Sequence, residues 1–326
     1  MRAIVIREPG GPEVLELRDI PIPQPSRGEV RVRVRATGVN RADILQRLGR
    51  YPPPPGSPAD VPGLELAGEV DALGDGVREL ASGDRVFGLV GGGAYAEYIV
   101  VHARTLARIP PGMAFTDAAA IPEAFVTAWD AMVVQARLSA GETVLVHAAG
   151  SGVGTAAVQI ARAIGARAVG TARTADKVER ARGLGLAMGI VASGPTFAGD
   201  VLAWTDGRGV DVVLDLVGGP YVAQDLACLA SRGRIVVVGT MSGAHAQLDL
   251  ALLMTKRAEL RGTMLRARPL EEKILAGQAL DRHIAPLFGA GSLRPVVDCV
   301  LPIAQAAEAH RRVEANATFG KIVLEV

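Results

Sequence analysis

The chain has 326 residues, 49% of them hydrophobic and 21% charged, which is the length and composition of a protein with two globular domains. Its 35 basic and 34 acidic residues give a formal net charge of +1 without any lysine- and arginine-rich run, so nucleic acid is not expected as the main partner. Two cysteines, Cys228 and Cys299, exclude a disulfide framework and a four-cysteine zinc module and favour a reducing cytoplasm. Apolar runs reach only strand length, so we expect a cytoplasmic protein without a membrane partner.

Residues 1–120 predict a small β-rich domain made of short strands separated by turns. In EVRVRVRATGV (29–39), three valines alternate with three arginines, which predicts a strand with one buried side and one side facing water. The segment YPPPPGSPADVP (51–62) is expected to form a loop, because consecutive prolines stop both a helix and a central strand.

After residue 120 the pattern changes to apolar strands that alternate with helices. Six buried strands in this arrangement predict an α/β fold with a doubly wound parallel sheet, a Rossmann fold. We expect the strands at ETVLVHAAG, ARAVGTAR, GIVA, DVVLDLV, GRIVVVGT and ELRGTML. Beyond residue 269 the sequence predicts helices, a strand at VVDCVLPI and a last strand, GKIVLEV, that returns to the first domain. The expected domains are therefore 1–120 completed by 270–326, and 121–269.

A glycine-rich turn follows the first strand of the parallel sheet, in the sequence AAGSGVGTAA. A strict GxGxxG motif is absent, but small residues allow the backbone to approach a pyrophosphate at the N-terminus of the next helix. The residues expected to contact the pyrophosphate of a dinucleotide are Ser151, Gly152, Val153 and Gly154.

The end of the second strand indicates which dinucleotide binds. An acidic residue there would bind the ribose 2′-hydroxyl of NAD, whereas an arginine favours the 2′-phosphate of NADP. The sequence VGTARTADK has Arg173 at this place and no carboxylate before Asp176, which we expect to cap a helix. We therefore predict NADPH as the cofactor, bound through Arg173 with support from Thr174 and Lys177.

Several longer motifs resemble one family. ATGVNRADILQRLGRYPPPPG, PGLELAGEV, VLVHAAGSGVGTAAVQIAR and FGKIVLEV are similar to segments of the zinc-free quinone oxidoreductases among the medium-chain dehydrogenases/reductases. The YPPPPG, LRARPLEEK and EANATFGKIVLE segments are most similar to the tumour-suppressor-inducible subgroup. The resemblance covers nearly the whole chain and implies a GroES-like first domain, a Rossmann second domain, and a homodimer joined through the edge of the cofactor-domain sheet.

The resemblance also implies that no metal is bound. Zinc-containing members carry a cysteine where this chain has Asn40 and a histidine where it has Leu64, and a catalytic zinc needs three protein ligands. The five histidines are widely separated in the sequence and offer no spaced ligand pair.

Reduction of a quinone or an activated C=C bond produces a delocalised anion, which polar side chains can orient and protonate without zinc. By resemblance, Tyr51, Asn40 and Asp43 are the expected catalytic residues; Tyr51 leads because its ring can stack on a quinone and its hydroxyl can donate a proton. Asn40 is expected to bind the substrate oxygen or the nicotinamide ribose, and Asp43 either to take part in catalysis or only to orient neighbouring backbone. Further cofactor contacts implied by the resemblance are Thr127, Val238, Gly239, Thr240, Leu265, Arg266 and Asn316.

The leading expectation is an NADPH-dependent quinone reductase that binds the cofactor in an interdomain cleft. One alternative within enzymes is the reduction of α,β-unsaturated ketones or acyl thioesters, because enoyl reductases resemble the same zinc-free branch. A second alternative is an NADPH-binding protein without catalytic activity.

Overall fold

The structure, a computed structural model, describes residues 1–326 and divides them into two compact units. Unit 1 consists of Met1–Val126 and Leu265–Val326, and unit 2 of Thr127–Met264. The limits expected from the sequence, residues 120 and 270, lie within a few residues of these; whether each part folds by itself stays a prediction.

Unit 1 begins with seven strands and short helices. The strands are β1 (Arg2–Ile6), β2 (Leu15–Asp19), β3 (Glu29–Gly38), β4 (Glu65–Leu73), β5 (Arg85–Leu89), β6 (Tyr98–His102) and β7 (Leu106–Arg108). The helices are α1 (Arg41–Arg47), α2 (Phe115–Ala118) and α3 (Pro122–Trp129), the last of which crosses the limit between the units in the chain.

Unit 2 alternates strands with helices, as predicted. The strands are β8 (Thr143–Val146), β9 (Arg167–Ala172), β10 (Leu186–Val191), β11 (Val210–Asp215), β12 (Leu229–Val237) and β13 (Glu259–Gly262). The helices are α4 (Gly152–Ala163), α5 (Ala175–Arg182), α6 (Ala198–Trp204), α7 (Tyr221–Cys228) and α8 (Leu250–Lys256).

The chain then completes unit 1 with α9 (Leu270–Ala279), α10 (Ala285–Gly289), β14 (Val297–Pro302), α11 (Ala306–Glu314) and β15 (Lys321–Glu325). The last strand pairs with β3 in antiparallel fashion and with β14 in parallel, so it lies inside the sheet of unit 1. The order of this sheet is β14-β15-β3-β4-β5-β7, with β6 also paired to β3. The expectation that the last strand returns to the first domain is confirmed.

Strand β3 shows why its sequence alternates. Val30 and Val32 are fully buried in the core of unit 1, whereas Arg31 and Arg35 lie on the other face and pair with Asp71 and Glu69, at 2.6 and 2.8 Å. The two-residue period of a strand therefore separates an apolar face from a charged one, as the sequence predicts.

The sheet of unit 2 has six parallel strands in the order β10-β9-β8-β11-β12-β13. This order is that of a Rossmann fold, with the topological switch point between β8 and β11. Its core contains the fully buried Leu145, Val213 and Ile235.

One expectation about this sheet is wrong. The sixth strand, predicted to be buried, is exposed at every one of its four residues, because β13 is the outermost strand and pairs only with β12. None of the helices in the structure combines the length and the hydropathy needed to cross a bilayer.

Candidate active site

The turn from β8 into α4 places a helix N-terminus at the carboxyl edge of the parallel sheet. The Ser151 hydroxyl accepts a hydrogen bond from the Gly154 N–H at 3.0 Å and so caps the helix. The N–H groups of Gly152 and Val153 have no acceptor within the chain. Free N–H groups at the start of a 12-residue helix, together with its dipole, are able to bind an anion such as a pyrophosphate.

Gly154 explains why this turn needs a glycine. A Cβ atom at this position would lie 2.2 Å from the Ala148 carbonyl oxygen and 2.7 Å from the Ala149 Cα. Any side chain would therefore push α4 away from the end of β8 and move the free N–H groups with it.

The end of β9 carries an arginine without an acidic partner. Arg173 is exposed, and no carboxylate lies within ion-pair distance of its guanidinium. Thr174 begins α5 by accepting a hydrogen bond from the Lys177 N–H at 3.3 Å. Asp176 is expected from the sequence to cap that helix, but it lies in the first helical turn and is not the N-cap. The N-cap is Thr174, because its side-chain hydroxyl accepts the hydrogen bond from the first turn.

The segment after β12 ends at the same edge of the sheet, because all the strands are parallel. The Val238 N–H donates to the Asp215 carbonyl oxygen at 2.8 Å, and a Cβ atom at Gly239 would lie 2.7 Å from the Leu216 oxygen, so the backbone passes close to the end of β11. Thr240 is exposed. Thr127 lies on α3, is 9% exposed, and forms no hydrogen bond through its side chain.

In unit 1 the structure brings Tyr51 and Arg266 together. The Arg266 guanidinium carbon lies 4.9 Å from the centroid of the Tyr51 ring, and its Nη1 donates to the Tyr51 carbonyl oxygen at 3.0 Å. Leu265 precedes this arginine and is partly buried. Both residues belong to unit 1, and Arg266 directly contacts the loop of the expected catalytic tyrosine.

Burial raises the pKa of the Tyr51 phenol, the positive charge of Arg266 lowers it, and the negative charge of Glu123 raises it further. The phenol is therefore protonated at neutral pH, and the two charged neighbours act on it in opposite directions.

Asn40 and Asp43 lie at the N-terminus of α1. The Asp43 carboxylate accepts hydrogen bonds from the Asn40 N–H at 2.8 Å and the Gly63 N–H at 3.0 Å, and Asp43 is fully buried. Burial raises the pKa of Asp43 to about 6, although these hydrogen bonds and the charge of Lys321 lower it. This geometry favours the role of Asp43 as an orienting group for neighbouring backbone.

Every polar atom of the Asn40 side chain has a partner in unit 1. Its Nδ2 donates to Glu65 Oε1 at 2.9 Å and to the Gly38 carbonyl at 3.3 Å, and its Oδ1 accepts from Lys321 Nζ. The Lys321 ammonium also lies 2.6 Å from Glu65 Oε1. The amide is thus held inside the protein, and its expected contact with substrate or ribose stays a prediction.

Asn316 lies at the end of α11 in the left-handed conformation, with a φ of 53°. Its Oδ1 accepts from Arg41 Nη2 at 2.7 Å, and its Nδ2 donates to the Glu314 carbonyl at 3.0 Å. The structure therefore brings Tyr51 next to Arg266 and Asn40 next to Asp43, and it gives Asn316 different neighbours.

Comparison with known proteins gives matches in both units. Residues 26–111 match the family described as "Alcohol dehydrogenase GroES-like domain", and residues 190–324 match the family described as "Zinc-binding dehydrogenase". A mycobacterial protein solved in complex with NADPH is 31% identical, with a TM-score of 0.88 over 100% of both chains. The chain belongs to the medium-chain dehydrogenase/reductase family.

Two curated relatives are similar to part of this medium-chain dehydrogenase/reductase. The human quinone oxidoreductase is 44% identical over 179 residues, which are 54% of each chain. The polyketide synthase GfsB of Streptomyces halstedii is 50% identical over 159 residues, which are 49% of this chain and 3% of the synthase. The match thus spans about half of the first relative and a small segment of the second.

Sequence reasoning missed the charged groups around the N-terminus of α1 in this medium-chain dehydrogenase/reductase. Lys321, 5% exposed, provides the ammonium next to Asn40 and Glu65, and Glu123 donates its N–H to Glu65 Oε2 at 2.8 Å. The one available signal was a lysine directly before three apolar residues at the start of the strand KIVLE. A lysine in a buried strand needs an internal acid, but the sequence does not reveal which one.

Unit 2 also contains a buried cluster of His147, Asp215 and Asp225, whose possible ligand atoms lie within 4.8 Å of one another. His147 Nε2 is hydrogen-bonded to Asp225 Oδ1 at 2.7 Å and its Nδ1 to Thr171 Oγ1 at 2.8 Å. Both ring nitrogens are thus occupied. The expectation from the sequence concerned pairs of histidines at ligand spacing. This cluster is of another kind, because the fold brings two carboxylates to a single histidine.

Proposed function

We propose that this chain is an NADPH-dependent reductase that transfers hydride to a quinone without using zinc. The observation that carries the proposal is the carboxyl edge of the unit 2 sheet, where free N–H groups of Gly152 and Val153 and the unpartnered guanidinium of Arg173 follow adjacent strands. Members of the family bind NAD(P)H. The residues present fit this group, because a helix N-terminus can bind a pyrophosphate and an arginine can bind a 2′-phosphate.

Each part of the cofactor would have its own residues. Ser151, Gly152, Val153 and Gly154 would hold the pyrophosphate, and Arg173 would hold the 2′-phosphate beside Thr174 and Lys177. The segment Val238, Gly239 and Thr240, which ends at the same edge, would border the nicotinamide, and Thr127 would approach it. When bound, NADPH supplies the hydride.

Lys321 supports the proposal that zinc is not used. Its ammonium forms an ion pair with Glu65 and donates to Asn40. Asn40 stands where zinc-containing members carry a cysteine, and Glu65 follows Leu64, which stands where they carry a histidine. Neither the Asn40 amide nor the Leu64 side chain is a usual zinc ligand, and a fixed positive charge beside them disfavours a divalent cation.

The substrate class rests on Tyr51 and on similarity. The Tyr51 ring would stack on a quinone and its hydroxyl would donate a proton to the reduced oxygen. The proposal agrees with the 44% identity to the human quinone oxidoreductase. The matching segment of GfsB favours a second candidate, reduction of the C=C bond of an enoyl thioester.

The proposal is tested by NADPH consumption of the purified protein in chelator-treated buffer, in parallel with an ortho-quinone, a para-quinone and a crotonyl thioester. Turnover with quinones alone supports the proposed reaction, and preference for the thioester supports the second candidate. Tight NADPH binding without turnover of any of the three would instead favour a non-catalytic binding protein.

Replacing Arg173→Asp tests the cofactor assignment. The substitution should raise the Kd for NADPH by roughly 100-fold and change the Kd for NADH little, because only NADPH carries the 2′-phosphate. Arg162→Asp is the matched control, since it makes the same charge change at the other end of α4, about 15 Å from its N-terminus. Equal losses for both cofactors would remove Arg173 from the phosphate site.

We further propose a homodimer that pairs the free edges of the two unit 2 sheets. Strand β13 is exposed at all its residues, and Leu260 on it is 44% exposed, which is unusual for a parallel sheet. Light scattering should give the mass of two chains for the wild type and of one chain for Leu260→Lys. A dimer that persists in Leu260→Lys would contradict this interface.

A further inference from the structure

Arg266 is a buried cation that forms no ion pair. Its side chain is 6% exposed, yet no carboxylate lies within ion-pair distance of it. Arg47, another buried arginine of unit 1, shows the usual arrangement, since it lies 2.6 Å from Glu314. An unpaired buried guanidinium reduces stability, and its field acts on the groups that it touches.

The hydrogen bonds of Arg266 join three segments of unit 1. Its Nε donates to the Gly91 carbonyl oxygen at 2.8 Å, its Nη1 to the Tyr51 carbonyl oxygen at 3.0 Å, and its Nη2 to Gln46 Oε1 on α1. A planar guanidinium offers donors in fixed directions, so these bonds set the position of the Tyr51 backbone relative to α1 and to the Gly91 turn. A lysine could keep the charge but not this geometry.

The same guanidinium lies over the Tyr51 ring. We propose that Arg266 is the positioning residue of Tyr51: it fixes the loop that carries the phenol, and its unneutralised charge stabilises the phenolate left after proton donation. This inference rests on the proposed function. In the step concerned, for which bound NADPH would supply the hydride to the quinone, the O–H bond of Tyr51 breaks, a new O–H bond forms on the reduced quinone, and water returns a proton to the phenolate.

Other charged groups near this pair are few. Glu123 opposes Arg266 in its effect on Tyr51, and Asp43 and Lys273 interact with Arg266 electrostatically. Arg266 is the cation that acts on the phenol. Without it, the effects that remain on Tyr51 are its burial and the negative charge of Glu123, and both disfavour the phenolate.

The first test needs neither substrate nor turnover. Tyr51 is one of four tyrosines, so its phenolate absorbance is obtained as the difference between the titration of each protein and that of its Tyr51→Phe counterpart. Arg266→Met should move this difference titration to higher pH, and Arg266→Lys should leave it near the wild-type position. The matched control is Arg85→Met, which removes an arginine that lies 4.3 Å over Phe115 and donates to the Met113 carbonyl.

The second test separates charge from geometry. Arg266→Met should lower kcat for the quinone by about 10- to 100-fold with little change in KM for NADPH, and Arg266→Lys should recover only part of the loss. Arg85→Met should retain the wild-type kcat. If Arg266→Met does not fold, Arg266→Lys tests the positioning role by itself. We then expect a lower kcat together with an unchanged titration of the Tyr51 phenol.

The outcomes are distinguishable from those of the proposed function. A wild-type protein that reduces no quinone overturns the proposed function. A Tyr51 titration that does not move in Arg266→Met, or a kcat that Arg266→Lys restores fully, overturns the positioning role even if the wild type is an active quinone reductase.

Discussion

Each unit of the molecule contains a buried acidic cluster, and the two clusters are neutralised differently. In unit 1, Glu65 and Asp43 are fully buried, and the Lys321 ammonium lies 2.6 Å from Glu65. In unit 2, Asp215 and Asp225 are also fully buried, but no lysine or arginine pairs with them; Asp225 lies 2.7 Å from His147 Nε2, and one oxygen of each carboxylate has no hydrogen-bond partner.

The difference indicates two ways to keep carboxyl groups inside a protein. A lysine is a permanent cation near neutral pH, so it can support an ionised carboxylate, whereas a cluster with one histidine gains stability by holding a proton. Burial raises the pKa of Asp225 to about 6, even though His147 lowers it, and the neighbouring Asp215 raises it further. We therefore expect Glu65 in unit 1 to depend on Lys321, whereas Asp225 in unit 2, like Asp43 in unit 1, makes stability depend on pH.

The largest expected effect comes from Lys321→Met. It leaves Glu65 without its cation, and breaking such a buried pair costs about 3 to 5 kcal/mol. Hydrogen exchange should show lost protection in residues 1–126 and 265–326. Lys256→Met is the control, because Lys256 donates to three carbonyls in unit 2 and pairs with no acid.

A double variant sharpens this test. Adding Glu65→Gln to Lys321→Met removes the uncompensated charge and should recover part of the lost stability. If Lys321→Met alone leaves unit 1 as protected as in the wild type, then Glu65 does not need the ammonium of Lys321, and the contrast between Glu65 and Asp225 disappears.

A smaller effect of opposite sign is expected from Asp225→Asn. The folded pKa of Asp225 is above its unfolded value, so its contribution to stability is complete below about pH 4 and is lost as the pH rises through about 6. A neutral amide should therefore stabilise unit 2 at pH 8 by about 1 kcal/mol and give no advantage at pH 4. Urea unfolding followed by Trp129 and Trp204 fluorescence reports unit 2, which contains both tryptophans.

Asp211→Asn is the matched control in the same unit. Burial raises the pKa of Asp211, but hydrogen bonds from Arg208 and the Thr143 N–H outweigh it, so the net pKa is lowered. This substitution should destabilise unit 2 at pH 8. If both variants destabilise the protein equally, the difference between a proton-holding and an ion-paired carboxylate is refuted.

The smallest expected effect concerns Glu123. Burial raises its pKa to about 7, against the charge of Lys321, so its contribution is present below about pH 4 and lost as the pH rises through 7. The free energy of unfolding falls between pH 6 and 8, and Glu123→Gln should make this fall smaller by less than about 1 kcal/mol. The variant should therefore show a smaller fall in Tm over the same pH range. Melting followed by circular dichroism checks this, and an unchanged slope would assign the pH dependence to other groups.

Local patterns predicted the fold well. The alternation in β3, the glycine-rich turn before α4 and the apolar strands of unit 2 each lie within a few adjacent residues, so the chain itself encodes them. The exposure of β13 could not be predicted in this way. Its sequence differs little from that of a buried strand, and only the strand order places it at the edge.

The candidate site was predictable in part, for the same reason. Ser151, Gly152, Gly154 and Arg173 follow from the order of strand, turn and helix. By contrast, Lys321 reaches Asn40 across 281 residues of sequence, and Arg266 reaches Gln46 across 220. Such pairs depend on the complete fold, so resemblance suggested a role for Arg266 in cofactor binding, whereas its contacts join it to the Tyr51 loop.

The two segments of unit 1 have a consequence for the order of synthesis. Unit 2 is continuous, so a ribosome can complete it before β15 emerges, whereas β3 must wait almost 300 residues for that strand. Until then Glu65 lacks the ammonium of Lys321, and the edge of β3 that β15 covers remains open to other chains. A chaperone acting on the nascent chain would therefore be needed most for residues 1–126, which leave the ribosome before unit 2 and finish folding after it.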